Sequence, residues 1–281
     1  MTLDLNSPTG AARKRRPRSA TSLTRSSGLG LGIALTWFSL LVLIPLSLVV
    51  IQSIDGGWET FRQTLTNPQT AAALRLTVTQ ALIVTAINVV MGTLIAWVLV
   101  RDDFPGKRLL EVVIDIPFAL PTIVAGLVLL SLYGPDSPLG VNVANTERSV
   151  FLALLFVTLP FVVRTVQPVL MELDKDVEEA ARSLGASRFT TVRRIILPSL
   201  APAITAGAAL SFARGISEYG SLVLLSGNLP LKTEVASVRI LTYIENGNEA
   251  AAASVATILL LVALAAIVLL QVLSKWVARR G

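Results

Sequence analysis

The chain has no cysteine and no histidine. That excludes disulfides, thiol catalysis, thiolate or imidazole metal sites, and histidine-based triads. No G-x-x-x-x-G-K-[ST] occurs, so there is no phosphate loop, and the chain is not expected to hydrolyse ATP by itself. Charge is scarce too: 15% of the 281 residues are Asp, Glu, Lys or Arg, against about 25% in a soluble domain. Short alternating apolar segments are missing, which argues against a β-barrel.

What is present is hydrophobic, at 53% of residues. Apolar runs of roughly 20 residues recur, each long enough to cross about 30 Å of hydrocarbon. The expectation is an all-α polytopic membrane protein with six transmembrane helices, near 29–52, 74–100, 112–133, 149–170, 199–226 and 251–274. Residues 1–28 form a basic polar tail containing RKRRPR, expected to be disordered and to act as a topology signal at an anionic membrane face. The apolar run that follows, 29–51, exceeds the roughly 7–15 residues of a signal-peptide core, and no A-x-A site follows it. The six-span domain then covers 29–274, and 275–281 is a short tail.

Basic residues fix the expected orientation. Six Lys and Arg in the tail, three in 101–111, five in 171–198 and three at the C-terminus fall on one side. The other side has Arg62, Arg75, Arg148, Lys232 and Arg239. The positive-inside rule places both termini and the 171–198 loop in the cytoplasm. The charges lie in loops between spans, so topology accounts for the basic balance and no nucleic-acid partner is expected. Trp97 and Trp276 sit where aromatic belts occur. Asn88 and Gln80 read as interhelical hydrogen-bond formers.

Two span starts echo each other. PFALPTIVAG and PSLAPAITAG share P-x3-P-x4-G, through Pro117, Pro121 and Gly126, and Pro198, Pro202 and Gly207. The second proline favours a kink, and the glycine permits close backbone approach. On the other side, Val235, Val238, Leu241 and Ile244 have helical spacing in a segment too short to span. It is expected to lie on the outer surface or to meet an external partner.

The most unusual stretch is VEEAARSLGASRFTTVRRIILPSLAP, 177–202. Asp176 to Ile196 reads as two short helices. Acids near the start suit the helix dipole. Gly185 is the break, because it can take a left-handed conformation. Ser187 can cap the second helix, with Arg193 and Arg194 near its C-terminus and Leu197-Pro198 starting the next span. Ala180 and Ala181 keep the surface flat enough for close docking.

Glu179-Ala180-Ala181, Gly185, Ile195 and Leu197-Pro198 spell E-A-A-x3-G-x9-I-x-L-P without a mismatch. This resembles the cytoplasmic loop of permease subunits of binding-protein-dependent ABC importers, of type I architecture. The resemblance implies a coupling helix that docks in a cleft of an ATP-binding subunit. Glu179, Ala180, Ala181 and Gly185 are then docking residues, with Arg182, Leu184 and Ala186 as neighbours. NPQTAAALRLTVTQA, RDDFPGKRLLEVVIDIPFALPTIVAGL, PFVVRTVQPVLMEL, LSFARGISEYGSLVLLSGN and KTEVAS resemble the T-type permease of sulfate and thiosulfate importers, over roughly 35–275. GISEYG departs from the more usual Leu-Gly-Glu-Phe-Gly wording, and the external loop 134–148 is short.

Arg214 and Glu218 lie four apart in the expected fifth span and share a face. A charge at mid-membrane costs about 2.5–3.5 kcal/mol on insertion scales, so such residues face the bundle interior or water. Two readings stay open: a lining of the anion path or gate, and a buried ion pair that fixes packing. The order Arg-then-Glu is the weaker orientation, which leaves room for other partners. Arg164, two-thirds through the fourth span, either snorkels to the interface or contacts an inner gate.

The resemblance implies a permease that moves sulfate or thiosulfate inward by alternating access, in a bacterial plasma membrane. Implied partners are two ATP-binding cassette subunits, a second related permease chain or a second copy, and an extracytoplasmic sulfate-binding protein. ATP and Mg would be held by the ATPase subunits, with no cofactor in this chain. A molybdate or tungstate permease is the nearest alternative. An ion-coupled secondary anion transporter is the alternative class. It would carry coupling-ion carboxylates and inverted repeats, and the spans show one clear acid, Glu218. A membrane scaffold without transport would leave Arg214 and Glu218 unexplained.

Overall fold

The computed structural model describes residues 25–278. Most of the tail expected at 1–28, all but the first residues of the tail 275–281, and the Trp276 side chain lie outside the described residues. The described residues carry thirteen α-helices and two π-helical turns, joined by turns and loops, with no strand among them. Two compact units divide after Leu48. The first holds α1 (Arg25–Phe38), a π-helical turn (Ser39–Leu43) and the start of α2 (Ile44–Asp55). Arg25 to Gly28, inside the stretch expected to be disordered, are helical.

The second unit begins within α2 and carries α3 (Gly57–Thr66), α4 (Pro68–Arg101), α5 (Lys107–Ala119), α6 (Thr122–Tyr133) and α7 (Glu147–Glu172). Then come α8 (Lys175–Ser183), α9 (Arg188–Thr191), a π-helical turn (Val192–Ile196) and α10 (Leu197–Ile216). The chain ends with α11 (Gly220–Leu225), α12 (Ala236–Glu245) and α13 (Glu249–Ala278). Among the described residues, five continuous helices are long and apolar enough to cross a membrane, or six if α5 and α6 count as one bent span.

α4, α7 and α10 form the centre of this unit. Asn67 starts α4 by accepting the Gln69 and Thr70 N–H groups at 3.0 and 3.3 Å, with Pro68 in the first turn, where its missing N–H is no loss. In lipid, helices gain little from hydrophobic exclusion and depend on close packing and interhelical hydrogen bonds. Val162 of α7 shows the first device. A Cβ on Gly92 of α4 would lie 2.8 Å from the Val162 Cβ, and one on Gly207 of α10 would lie 3.0 Å from the Val162 Cα. Asn88 shows the second: its buried Nδ2 donates to Thr158 Oγ1 at 2.8 Å, a contact worth about 0.6 kcal/mol on average inside membranes. Two apolar clusters continue the packing. One holds Leu99, Val163, Leu170, Ile196 and Leu200. The other holds Leu76, Val84, Leu129, Leu154 and Leu222.

Two expected spans are broken. The third, 112–133, bends by 117° between α5 and α6. Leu120 is extended, at φ −88° and ψ 137°, because the Pro121 ring disfavours helical geometry in the residue before it. The fifth expected span, 199–226, runs as helix from Arg188 to Ile216, stops at Ser217–Tyr219, and resumes as α11. The second helix of the 176–196 loop therefore does not end at Arg193 and Arg194. It continues through the π-helical turn into α10, so those arginines lie mid-helix, away from any C-terminal carbonyls. The P-x3-P-x4-G echo also has two outcomes: Pro121 ends a helix, whereas Pro202 lies inside one.

The 227–250 segment forms its expected helix as α12, but not as a free surface element. Val235 and Val238 are buried in the cluster with Leu76 and Val150. The Ala236 N–H at its start donates to Thr77 Oγ1 of α4 at 2.8 Å. Ile244 alone of the four stripe residues is strongly exposed, at 52%.

Candidate functional site

The loop between α7 and α10 is built by its caps. Asp174 accepts the Asp176 N–H at 2.9 Å and starts α8. Gly185 ends it at φ +83°. The Gly185 N–H donates to the Arg182 carbonyl at 2.9 Å and the Ala186 N–H to the Ala181 carbonyl at 3.0 Å, the paired bonds of a Schellman motif. Ser187 then accepts the Thr190 N–H at 3.2 Å and starts α9. The turn predicted from the sequence is the turn observed. Glu179, Ala180, Arg182, Leu184 and Gly185 are exposed, while Ala181 and Ala186 are half-buried. Leu184 is 88% and Phe189 72% exposed, so apolar side chains stand out on a polar loop.

Inside the bundle, the break after α10 meets the start of α6. A Cβ on Gly220 would lie 2.9 Å from the Ile123 N, and one on Gly126 would lie 2.7 Å from the Ser221 carbonyl oxygen. Backbone thus packs on backbone where both expected spans are interrupted. Arg214 Nη2 and Glu218 Oε2 are 2.7 Å apart, with side-chain exposures of 30% and 0%. The pair expected from the i,i+4 spacing forms, but Glu218 is not in the α10 helix. It sits in the break, where its Oε1 accepts both the Ser221 N–H and hydroxyl at 2.9 Å. Arg214 is in the last turn of α10, where the helix dipole favours a cation. The Glu218 carbonyl accepts the Ser237 hydroxyl at 2.7 Å, tying the break to α12.

Arg164 bonds to α5 as well as to its own helix. Its Nε donates to Asp115 Oδ1 at 2.7 Å, its Nη1 to Gln167 Oε1 at 2.7 Å and its Nη2 to the Glu111 carbonyl at 3.2 Å. The reason is the bend at Pro121, which lays α5 along α7 and brings Asp115 into range. Arg164 is thus a bridge between α7 and α5, separate from the Arg214–Glu218 pair.

Residues 88–280 match the family of binding-protein-dependent transport system inner membrane components. The chain belongs to that family. The permease is 40% identical over 259 residues to the sulfate transport system permease protein CysT of Salmonella typhimurium, covering 90% of this chain and 94% of the relative. The protein of that name from Escherichia coli gives the same figures. The one from Synechocystis is 41% identical over 251 residues, covering 87% and 88%. The fold is similar to a chain of a bacterial alginate ABC transporter in complex with its pentasaccharide-bound periplasmic protein. The TM-score is 0.70 at 16% identity, covering 89% of this chain and 94% of that one. A chain of the inward-facing MetNI methionine ABC transporter gives 0.54 at 17%, covering 74% and 94%.

A further contact of the permease, between α4 and α8, has no local sequence signature. Arg101, in the last turn of α4, pairs with Glu178 of α8. Its guanidinium also lies 5.5 Å from the Trp97 ring centre. Seventy-seven residues separate the partners, and neither stands in the E-A-A-x3-G motif. The available signal was an acid beside the motif, Glu178, and a cation, Arg101, at the end of an expected span.

Proposed function

We propose that the permease is the membrane-spanning subunit of an ATP-driven importer that carries sulfate or thiosulfate into the cytoplasm by alternating access. Identity of 40% along nine-tenths of the chain to sulfate permease proteins supports the substrate. The observation that carries the mechanism is the loop from α8 to α9. It is capped at both helix starts, turned by Gly185 in a left-handed conformation, and exposes Glu179, Ala180 and Leu184. A rigid, flat, exposed helical surface suits docking into a cleft of an ATPase subunit. A chain without a phosphate loop needs that energy source, and the ATPase subunits bind ATP and Mg. Because α9 runs unbroken into α10, displacement of the loop passes directly to the helix whose last turn holds Arg214.

The asymmetry of Lys and Arg puts both termini and this loop in the cytoplasm. Two ATPase subunits need two such loops, hence a second permease chain, related or identical. An extracytoplasmic binding protein delivers the anion at the opposite face. The contact between the α6 start and the α10 break is the proposed gate. Arg214 offers positive potential to a tetrahedral dianion there, and Glu218 restrains it. Arg164 holds α5 on the cytoplasmic side of that gate.

Affinity purification tests the docking. The wild-type permease is expected to bring its ATPase subunits with it, and Gly185→Pro to lose them while keeping its helical content. Retention of the ATPase by Gly185→Pro would contradict the role given to this loop.

A further inference from the structure

The loop helix α8 is almost free of the bundle. Asp176, Val177, Glu179, Ala180, Arg182 and Ser183 are exposed. Among its described side chains only Glu178 is buried, at 7% exposure for the residue. A carboxylate in that position needs a partner, since an unpaired buried charge is costly. The partner is Arg101, whose side chain is 16% exposed. Arg182 stands farther off, 3.9 Å from Glu178 Oε2 on the exposed side. Trp97 flanks the Arg101 guanidinium, and the C-terminal carbonyls of α4 favour its charge. The pair lies in a cleft of about 470 Å³ whose walls include Thr191 and Val192.

Arg101 is also the end of α4, the longest α-helix among the described residues. α4 has 34 residues, about 50 Å at 1.5 Å per residue. Near its other end Thr70 Oγ1 lies 2.7 Å from the Tyr243 hydroxyl, and Thr77 receives the Ala236 N–H. Midway, Asn88 holds α7. α8 thus reaches the bundle by three routes: through the chain into α7 on one side, through α9 into α10 on the other, and through one buried ion pair into α4.

We propose that Arg101 and Glu178 are positioning residues that join α8 to α4 as one moving body, so that ATPase-driven displacement of the loop enters α4 as well as α10. The inference rests on the loop being the ATPase dock. Without the pair, α8 loses its direct hold on α4, which then follows the loop only through its packing on α7 and α10, and hydrolysis continues with little transport. The cation must sit at the end of α4 and the anion on α8, because only Glu178 turns inward.

The test uses the whole complex in proteoliposomes, with radiolabelled sulfate as the probe, and reads sulfate carried per ATP hydrolysed. Arg101→Gln is expected to lower that ratio by roughly tenfold or more, as breaking a buried pair is a severe change, while the ATPase subunits still co-purify. Arg101→Lys recovers part of it. The chain has no cysteine, so Arg101→Cys with Glu178→Cys introduces its only thiols. That double variant is expected to be uncoupled, and bridging the thiols with a short bifunctional reagent to restore coupling. The inference is overturned if Arg101→Gln keeps the wild-type ratio, if it loses the ATPase subunits, or if bridging restores nothing. A wild-type complex without ATP-dependent uptake would instead overturn the functional reading, and this inference with it.

Discussion

Arg214 and Glu218 face each other across the point where the fifth span stops being a helix, with 2.7 Å between Nη2 and Oε2. The acid is fully buried and already holds the Ser221 N–H and hydroxyl through its other oxygen. Removing Arg214 leaves that carboxylate without its cation. Because Arg214 is about one-third exposed, the loss is expected below the about 3–5 kcal/mol of a fully buried pair. Arg214→Ala should abolish sulfate uptake, and Arg214→Lys should retain part of it. Uptake at the wild-type rate in Arg214→Ala would remove the path role and leave only packing.

The contact between the two broken spans gives a second expectation. Gly126 has no room for a side chain against the Ser221 backbone. Gly126→Val should force α6 and α11 apart and cost about 1–3 kcal/mol, the usual price of overpacking. Thermal unfolding in detergent reads this. Gly140→Asn is the comparison: it lies in open space with φ +68°, which Asn tolerates, and should change little.

Glu234 supplies a pH dependence. It lies between α11 and α12, outside the spans. Burial raises its carboxyl above the ordinary 4.5, and attraction to Arg239 offsets only part of this. An acid with a raised folded value holds its proton more tightly in the native state. Its contribution is therefore fully present below the unfolded value and is lost as pH rises through the folded one. Glu234→Gln should raise the melting temperature at pH 7, with the gain shrinking toward pH 4. A gain that stayed constant over that range would show that burial of the charge is not the cause.

Gly185 separates conformation from surface. Its φ of +83° costs a residue with a Cβ about 1–2 kcal/mol. Gly185→Ala should weaken retention of the ATPase subunits, while Gly185→Asn, which tolerates the left-handed region, should retain more. Equal retention by both would place the effect in the lost surface at Gly185, not in the turn.

Local chemistry carried most of what could be read from the sequence. Ser187 and Gly185 act on neighbours within a few residues, so the two loop helices were legible, and so was the i,i+4 approach of Arg214 to Glu218. Hydropathy located the spans but not their interruptions, because Leu120-Pro121 and Ser217–Tyr219 lie in stretches whose average stays apolar. The bend at Pro121 in turn hid the fate of Arg164, since only a displaced α5 brings Asp115 to it. Arg101 and Glu178 meet through the packing of α4 against the loop, which no local pattern records. The burial of α12 was hidden for the same reason: its stripe of Val235 and Val238 fits a membrane surface and a helix bundle equally well.

Passage of ATP-driven anion import through this chain and its loop can be measured directly. The direct measurement is radiolabelled sulfate uptake in cells lacking the permease and any redundant importer, restored with wild type or with Gly185→Pro, with thiosulfate and molybdate in excess as competitors. Uptake restored by wild type alone, blocked by thiosulfate and not by molybdate, is the expected result. Equal restoration by Gly185→Pro, or sulfate uptake unchanged by the deletion, would contradict it.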